Sequence, residues 1–159
     1  MGMSNVERER KMAETLARTQ RTLPIALLRV REAVMDRLRP VLSAYGISEA
    51  QWRVLRVLQE IGHADASQLA QQACISPPSL TRILRNLAER EFLSLEKDKA
   101  DGRRTVIELS PEGEALIVKL TPPVTQIHMD IEARLDADRV ENFLNELEYF
   151  QTALSAPSQ

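Results

Sequence analysis

The fold of this chain is decided by residues 65–109, which read DASQLAQQACISPPSLTRILRNLAEREFLSLEKDKADGRRTVIEL. The stretch opens with a capping-box pattern at Asp65 and Gln68, which predicts the start of a short helix. A second helix follows a short turn, and two runs of apolar and β-branched residues then flank a charged turn that contains Gly102. This order of helix, turn, helix and hairpin is that of a winged helix-turn-helix, which indicates double-stranded DNA as the ligand.

The second predicted helix, residues 77–90, has the features of a DNA-reading helix. Ser76 suits its N-cap, and Pro77 suits the first helical position, where a missing N–H leaves no bond unmade. Apolar residues at three- and four-residue spacing predict one buried stripe. The other positions carry hydroxyls, an amide and two guanidinium groups, which can bind base edges and phosphates in a major groove. These candidate DNA-binding residues are Pro78, Ser79, Thr81, Arg82, Arg85 and Asn86.

Arginines on helix surfaces are usually just solvated, so the context decides how Arg82 and Arg85 are interpreted. The short helix before them presents a narrow apolar face made of Leu69, Ala70 and Ala73. Small residues on that face allow two short helices to cross closely, as they do in a helix-turn-helix. The context therefore favours DNA binding over solvation.

The predicted hairpin, or wing, carries basic residues around its tip. They are placed to reach a minor groove or the adjacent phosphates. Asp98 and Asp101 lower the charge of the tip, and Asp101 is placed to hold Arg103 through a charge-assisted pair. The candidate DNA-binding residues of the wing are Lys97, Lys99, Arg103 and Arg104.

These segments resemble the MarR family, the multiple-antibiotic-resistance regulators, which are dimeric bacterial and archaeal transcription factors. The resemblance covers nearly the whole chain and is carried best by residues 76–84, 98–103 and 109–113. Within the family, the chain is similar to the subgroup typified by the homoprotocatechuate-degradation operon repressor. That narrower similarity is carried by residues 24–28, 39–40, 51–53 and 73–75.

The resemblance implies a mainly α fold with a small β wing, in which a winged helix-turn-helix lies between N- and C-terminal dimerisation helices. The corresponding segments are residues 1–46, 47–110 and 111–159. It also implies a homodimer that binds a pseudo-palindromic operator in double-stranded DNA. Such a dimer would repress an operon for aromatic-acid catabolism until a small aromatic acid effector releases it.

The resemblance further implies an effector pocket between the dimerisation helices and the DNA-binding domain. Trp52 offers a flat apolar face there, and several cationic or titratable side chains are candidates to bind the effector's carboxylate. A lone tryptophan also fits a core position, and arginines on long helices are often solvated or paired, so both interpretations stay open. The candidate effector-binding residues are Trp52, Arg53, Arg29, Arg39 and His128.

Two segments depart from the family's pattern. The wing motif commonly has an arginine where this chain has Ala100, so Lys99, Arg103 or Arg104 would have to take its place, or the wing would contact phosphates only. Pro122 and Pro123 interrupt what is normally one long helix, which predicts a kink or a break.

Charge is distributed unevenly along the 159 residues, whose net charge of −2 would by itself argue against nucleic acid. Residues 1–76 carry eleven basic and eight acidic residues, and residues 77–104 carry seven and five. Residues 105–159 carry three basic and ten acidic residues, so the acidity lies away from the proposed reading helix. The apolar fraction of 43% is enough for an ordinary core.

The helices outside the quoted stretch carry their own start signals. A long helix is predicted over residues 24–45 with a bend near Pro40, and Ser48 with Gln51 forms a capping box for the next helix. Asp136 is placed to cap a final helix rich in apolar residues. The long helix and this final helix carry more apolar surface than a small DNA-binding domain needs. Burial against a second copy is the simplest solution, and folding back onto their own core is the alternative.

Several function classes find little support in the sequence. No histidine lies in a metal-ligand spacing, no glycine-rich phosphate loop is present and no nucleophile sits in a known turn motif, so neither metal, cofactor nor catalysis is expected. No apolar stretch is long enough to span a membrane, and the first residues lack the apolar region of a signal peptide, so a cytoplasmic location is expected. Two alternatives stay open: a winged-helix dimer that serves as a protein-interaction module, and a repressor that senses oxidants through Cys74, which is otherwise expected to be a small buried hydrophobic residue.

Overall fold

The computed structural model of the chain describes residues 4–17, 21–97 and 105–155. Within them the chain is mainly helical, with one small antiparallel sheet, so the predicted fold class is confirmed. The helices are α1 (Asn5–Ala17), α2 (Leu23–Ala44), α3 (Glu49–Ile61), α4 (Ala66–Gln72), α5 (Pro77–Glu89), α6 (Pro111–Leu135) and α7 (Ala137–Ser155). The strands are β1 (His63–Ala64), β2 (Leu93–Lys97) and β3 (Thr105–Leu109).

Contacts divide the chain into two compact units, residues 1–40 and residues 41–159. The first unit contains α1 and most of α2. Ser4 begins α1 with a reciprocal cap, because its hydroxyl accepts from the Glu7 backbone N–H at 3.3 Å while its own N–H donates to the Glu7 carboxylate at 2.9 Å. The predicted division into residues 1–46, 47–110 and 111–159 stays a prediction.

The second unit has a core built from α3, α4, α5, the start of α6 and the sheet. The sheet has the order β1-β3-β2 and is antiparallel throughout, with Leu93 opposite Leu109 and Lys97 opposite Thr105. Since an apolar stripe must be buried for short helices to persist in water, these elements hold one another in place. The predicted stripe of α5 is buried, as are its neighbours in the core: Leu80, Ile83, Leu84, Leu87, Leu55, Leu58, Leu69, Ile107 and Ile117.

Local capping signals are mostly confirmed. Ser48 with Gln51 and Asp65 with Gln68 form complete capping boxes at the starts of α3 and α4, and the Ser110 hydroxyl accepts from the N–H of the third residue of α6. Ser76 is at the N-cap of α5, as predicted, but its side chain makes no capping bond. Its hydroxyl instead donates to the hydroxyl of Ser79, in the first turn of α5, at 3.0 Å.

The sequence predicts a kink or a break at Pro122 and Pro123; the break is wrong, because α6 runs without interruption from Pro111 to Leu135, and the kink stays a prediction. A proline removes the helical bond to the carbonyl four residues earlier, which for Pro122 is the carbonyl of Val118. Val118 is exposed, so the loss falls on the solvent side of the helix. One residue earlier, the Thr121 hydroxyl donates to the Ile117 carbonyl at 2.8 Å, which adds a bond at this point of the helix.

The expectation that Cys74 is a small buried hydrophobic residue is also wrong. Cys74 is exposed and free, in the turn between α4 and α5. Its φ of +51° belongs to the left-handed region, which side chains other than glycine, asparagine and aspartate rarely adopt. The turn therefore directs this thiol out of the core, while Ala73 before it is buried.

Candidate nucleic-acid interface and ligand site

Helix α5 presents one apolar and one polar face, and the polar face holds the predicted reading residues. The apolar stripe is buried, which fixes the rotation of the helix about its own axis. Pro78, Thr81, Arg82, Arg85 and Asn86 are exposed, and Ser79 is half-buried in the first turn. The structure therefore brings the six predicted residues of this helix together on one exposed surface.

Arg82 and Arg85 are the strongest features of that surface. Neither makes an ion pair or hydrogen bond with another residue in the described parts of the chain. A guanidinium without an internal partner keeps its fork of donors available for a bidentate acceptor such as guanine or a phosphate. The Thr81 hydroxyl donates to the Pro77 carbonyl at 3.1 Å, which leaves its oxygen as an acceptor.

Asn86 has a different role from its neighbours. Its side-chain carbonyl accepts a 2.6 Å hydrogen bond from the amide of Gln51, at the start of α3. The Gln51 side-chain oxygen in turn accepts from the Ser48 backbone N–H at 2.8 Å within the capping box. Asn86 thus connects the reading helix to the start of α3. Its side-chain oxygen is already engaged in a hydrogen bond inside the domain.

The wing is described only at its base. Lys97 ends β2 and is exposed. The other wing candidates, Lys99, Arg103 and Arg104, lie outside the described residues, as does the pair predicted between Asp101 and Arg103. Their role in DNA binding stays a prediction.

A groove of about 480 Å³ lies between α4 and α5. Apolar residues form most of it, and Gln71 and Thr81 supply polar groups. None of the five candidate effector-binding residues lines this groove. It belongs to the helix-turn-helix surface rather than to the predicted effector pocket.

Trp52 and Arg56 are in contact on α3, and Arg53 lies between them in the sequence. Trp52 is buried, and the guanidinium carbon of Arg56 lies 5.9 Å from the centroid of its ring. The Arg56 side chain also bonds to Gln59 one turn later. The Nε of Arg53 is buried and has no hydrogen-bond acceptor among the described residues. A buried donor without an acceptor is costly, so it marks a position where an anionic or polar group from outside the chain would be favoured.

Sequence reasoning missed Arg56, although a signal for it exists. Residues four apart share one face of a helix, so Arg56 lies above Trp52, whereas the adjacent Arg53 points to a different side. Counting in steps of four from the tryptophan would have placed Arg56 on the same list.

The remaining effector candidates, Arg29, Arg39 and His128, lie on helices other than α3. Arg29 is exposed on α2 and His128 is exposed on α6. Arg39 is paired inside α2, with Nη2 2.5 Å from a Glu32 oxygen and Nη1 2.6 Å from an Asp36 oxygen. The hydrogen bond from Arg39 lowers the pKa of Glu32 below its ordinary value, while the same bond raises the pKa of Arg39. A carboxylate effector would have to compete with these two carboxylates for Arg39.

Helix α7 leaves its apolar side chains uncovered. Within the described residues it contains no buried residue. Its largest apolar side chains are between 44% and 76% exposed. They are therefore not buried in the core of their own chain. These exposed residues are Phe143, Leu144, Tyr149, Phe150 and Leu154.

Two findings limit other interpretations of the described residues. No helix among them combines the length and the apolarity that crossing a bilayer requires. Nor do the described parts of the chain bring together three or more histidine, cysteine or carboxylate side chains that could hold a metal ion.

Comparison with known proteins gives consistent matches. The MarR family model matches residues 47–105. The homoprotocatechuate degradative operon repressor of Escherichia coli is 38% identical over 130 residues, which are 81% of this chain and 87% of that protein. The HTH-type transcriptional regulator FarR of Neisseria gonorrhoeae is 36% identical over 138 residues, which are 85% of this chain and 94% of that protein. The crystal structure of NadR in complex with 4-hydroxyphenylacetate superposes with a TM-score of 0.74 at 35% identity, covering 81% of this chain and 92% of that one.

Proposed function

Because the chain belongs to the MarR family of transcriptional regulators, we propose that it is a homodimeric repressor that binds a pseudo-palindromic DNA operator and is released by a small aromatic acid. The observation that carries this proposal is the pair of guanidinium groups of Arg82 and Arg85, which lie on the exposed face of α5 and have no partner in the described part of the chain. Burial of the opposite face holds both groups where a major groove can receive them. Catalysis has no part in this role.

Two copies of the chain explain the uncovered apolar face of α7. Large apolar side chains that stay exposed in one copy gain free energy when a second copy covers them. A two-fold dimer presents two reading helices about 34 Å apart, one turn of DNA, and so requires an operator with two related half-sites. Dimerisation and recognition of a pseudo-palindrome therefore belong together.

On DNA, α5 of each protomer enters a major groove. Arg82 and Arg85 bind base edges or phosphates there, and Pro78, Ser79 and Thr81 lie along the same exposed face. Lys97 and the other basic residues of the wing, Lys99, Arg103 and Arg104, contact the sugar-phosphate backbone or the minor groove. Because its ligand is the operator, we place the protein in the cytoplasm with the DNA.

The effector is a small aromatic carboxylate. The proposal is supported by the operon that the E. coli relative is named for and by the 4-hydroxyphenylacetate in the NadR structure. Helix α3 suits such a ligand, because the Arg56 guanidinium lies over the Trp52 ring and the buried Nε of Arg53 has no acceptor among the residues that the structure describes. Arg56, beside the aromatic ring, or Arg53 would bind the carboxylate. Arg29 and His128 are further candidates, and Arg39 would have to exchange its present partners.

Release follows from the rigidity of the dimer. Both reading helices must match the groove spacing together, so a shift of about 1–2 Å at the interface is enough to disengage them. The effector acts through its preference for one dimer geometry, which is typically worth about 1–3 kcal/mol.

Fluorescence anisotropy tests the proposal directly. The purified protein is titrated onto its own upstream DNA and onto a shuffled duplex near physiological salt, with and without aromatic acids that include 4-hydroxyphenylacetate. We expect selective binding to the upstream DNA that one of the acids relieves. Equal and weak binding to both duplexes would contradict the proposal and favour a protein-interaction module.

A second candidate function rests on the exposure of Cys74 in the helix-turn-helix turn. Oxidation of an exposed thiol beside the reading helix would disturb DNA binding without any effector. Under this alternative, hydrogen peroxide would release the wild-type protein from its operator but not the Cys74→Ser variant. Equal responses of the two proteins would exclude it.

A further inference from the structure

One side chain connects the end of the reading helix to the end of the long helix before the DNA-binding domain. Arg90 follows α5 directly, and its Nη1 donates to the Gly46 carbonyl at 2.8 Å while its Nη2 lies 3.4 Å from the Tyr45 carbonyl. The same guanidinium lies 4.8 Å from the centroid of the Phe92 ring. Tyr45 and Gly46 come immediately after α2, so Arg90 spans from the end of α5 to the end of α2.

The next two residues connect the reading helix to the start of α6. The Ser110 hydroxyl donates to the Glu91 carbonyl at 2.5 Å, and the Ser110 backbone N–H donates to the Phe92 carbonyl at 3.2 Å. Gly113, in the first turn of α6, lies so close that a Cβ placed on it would be 2.2 Å from the same Phe92 oxygen. Glu91 itself has a φ of +60°, which turns the chain sharply at this point.

From this geometry we propose that residues 90–92, here called the reader junction, hold α5 in a fixed orientation relative to the ends of α2 and α6, with Arg90 as the positioning residue. The inference rests on the proposed function and adds the route by which dimer geometry reaches the reading helix. A movement of the end of α2 or of the start of α6 is transmitted to α5, because each of them is hydrogen-bonded to the reader junction, which follows α5 directly.

The chemistry of the contact explains why an arginine is needed. Carbonyl groups at the end of a helix lack intrahelical partners and carry partial negative charge, so a cation is stabilised there. The planar guanidinium binds two carbonyls at once and stacks on an aromatic ring, whereas a lysine ammonium is a single point charge on a flexible stem. With its donors directed to Gly46 and Tyr45, Arg90 positions α5 rather than contacting DNA.

The test compares the full-length wild-type protein with Arg90→Ala, Arg90→Lys and a control, Glu89→Ala, whose exposed side chain lies one residue earlier. For each protein, the affinity is measured for its own upstream DNA and for a shuffled duplex at several salt concentrations. We expect the ratio of the affinity for upstream DNA to the affinity for the shuffled duplex to fall about tenfold or more in both Arg90 variants. A loss of this size is expected because a reading helix held in the wrong orientation misplaces its base contacts. Their affinity for the shuffled duplex, and the control's preference, should stay within about twofold of wild type, because phosphate contacts supply nonspecific binding.

Other roles for Arg90 give different results. A merely structural role would lower both affinities by one factor, and a phosphate contact would lower both, flatten the salt dependence and be rescued by lysine. Either pattern, or an unchanged preference in Arg90→Ala, would overturn the proposal. A wild-type protein that does not prefer its upstream DNA would instead refute the proposed function.

Amide hydrogen exchange tests the contact without DNA. The amides of Gly46 and Ile47 donate to carbonyls in the last turn of α2. We expect their exchange to be faster in Arg90→Ala than in Glu89→Ala, because the turn loses its tie to the reader junction. Equal exchange in the two variants would show that Arg90 does not hold this turn.

Discussion

Replacing Gly113 by alanine tests how closely the start of α6 must approach the reader junction. The added Cβ would lie 2.2 Å from the Phe92 carbonyl oxygen, 3.1 Å from its carbonyl carbon and 3.3 Å from a Leu109 methyl group. The nearest of these atoms belong to the backbone, so no side chain can rotate away to make room. The first turn of α6 would have to move away from residues 91 and 92.

Two opposing effects decide whether Gly113→Ala raises or lowers the free energy of unfolding. Alanine favours the helical state over glycine by about 1 kcal/mol. Against that gain, the movement weakens the two hydrogen bonds from Ser110 to the Glu91 and Phe92 carbonyls, worth about 0.5–1.5 kcal/mol each, and overpacking costs about 1–3 kcal/mol more. The net result is a loss of about 1–5 kcal/mol in the free energy of unfolding.

Urea denaturation measures this loss. Wild type and Gly113→Ala are compared at one protein concentration, because the stability of a dimer depends on concentration. Lys119→Ala, on the exposed side of the same helix, is the matched control and should change the free energy of unfolding by no more than about 0.5 kcal/mol. A Gly113→Ala protein as stable as wild type, or more stable, would refute the argument from close approach.

The remaining predictions concern DNA, the effector and pH. Arg82→Ala and Arg85→Ala should each weaken specific DNA binding by about 1–3 kcal/mol if the arginine contacts a base, and unchanged anisotropy titrations for both would remove α5 as the reading surface. Arg56→Ala should leave operator affinity unchanged while raising the 4-hydroxyphenylacetate concentration needed for release by about tenfold or more, as expected for a lost charge-assisted bond; normal release would place the carboxylate elsewhere. Glu32 should titrate below its ordinary pKa of 4.5 in NMR experiments and return towards it in Arg39→Gln, because the arginine's hydrogen bond is the largest cause of the lowered pKa. Since the folded-state pKa is lowered, the stabilisation from this pair should be complete above pH 4.5 and disappear as the pH falls through the lowered value, so a pH-independent effect of Arg39→Gln across that range would contradict the assignment.

Features that depend on neighbours along the chain could be predicted. The capping boxes at Ser48 and Asp65 and the cap at Ser110 all involve residues three apart, so a short sequence window contains every group they need. The buried stripe of α5 follows from helical spacing in the same way. With the hairpin pattern, these signals were enough for the fold class and for the exposed face that carries Arg82 and Arg85.

Local rules failed where an alternative bonding arrangement or a turn intervened. Pro122 and Pro123 predict a kink or a break, but the carbonyl that Pro122 leaves without a helical donor belongs to an exposed residue of a long helix whose other face is buried, and no break occurs. Cys74 has the composition of a core residue, yet its positive φ places the side chain outside. Neither backbone dihedrals nor the exposed side of a helix can be read from residue type alone.

Residue order and helical periodicity were thus sufficient for most of the elements, most of their caps and the polar face of the reading helix, because those properties arise within about one turn. Packing between elements decided the contacts between residues that lie far apart in the sequence. Gln51 meets Asn86, Arg90 meets Gly46, and Gly113 meets Phe92, although no periodicity relates the members of any pair. Such contacts exist only after the buried faces of several helices have fixed their relative positions, and they are the contacts that hold the reading helix in place.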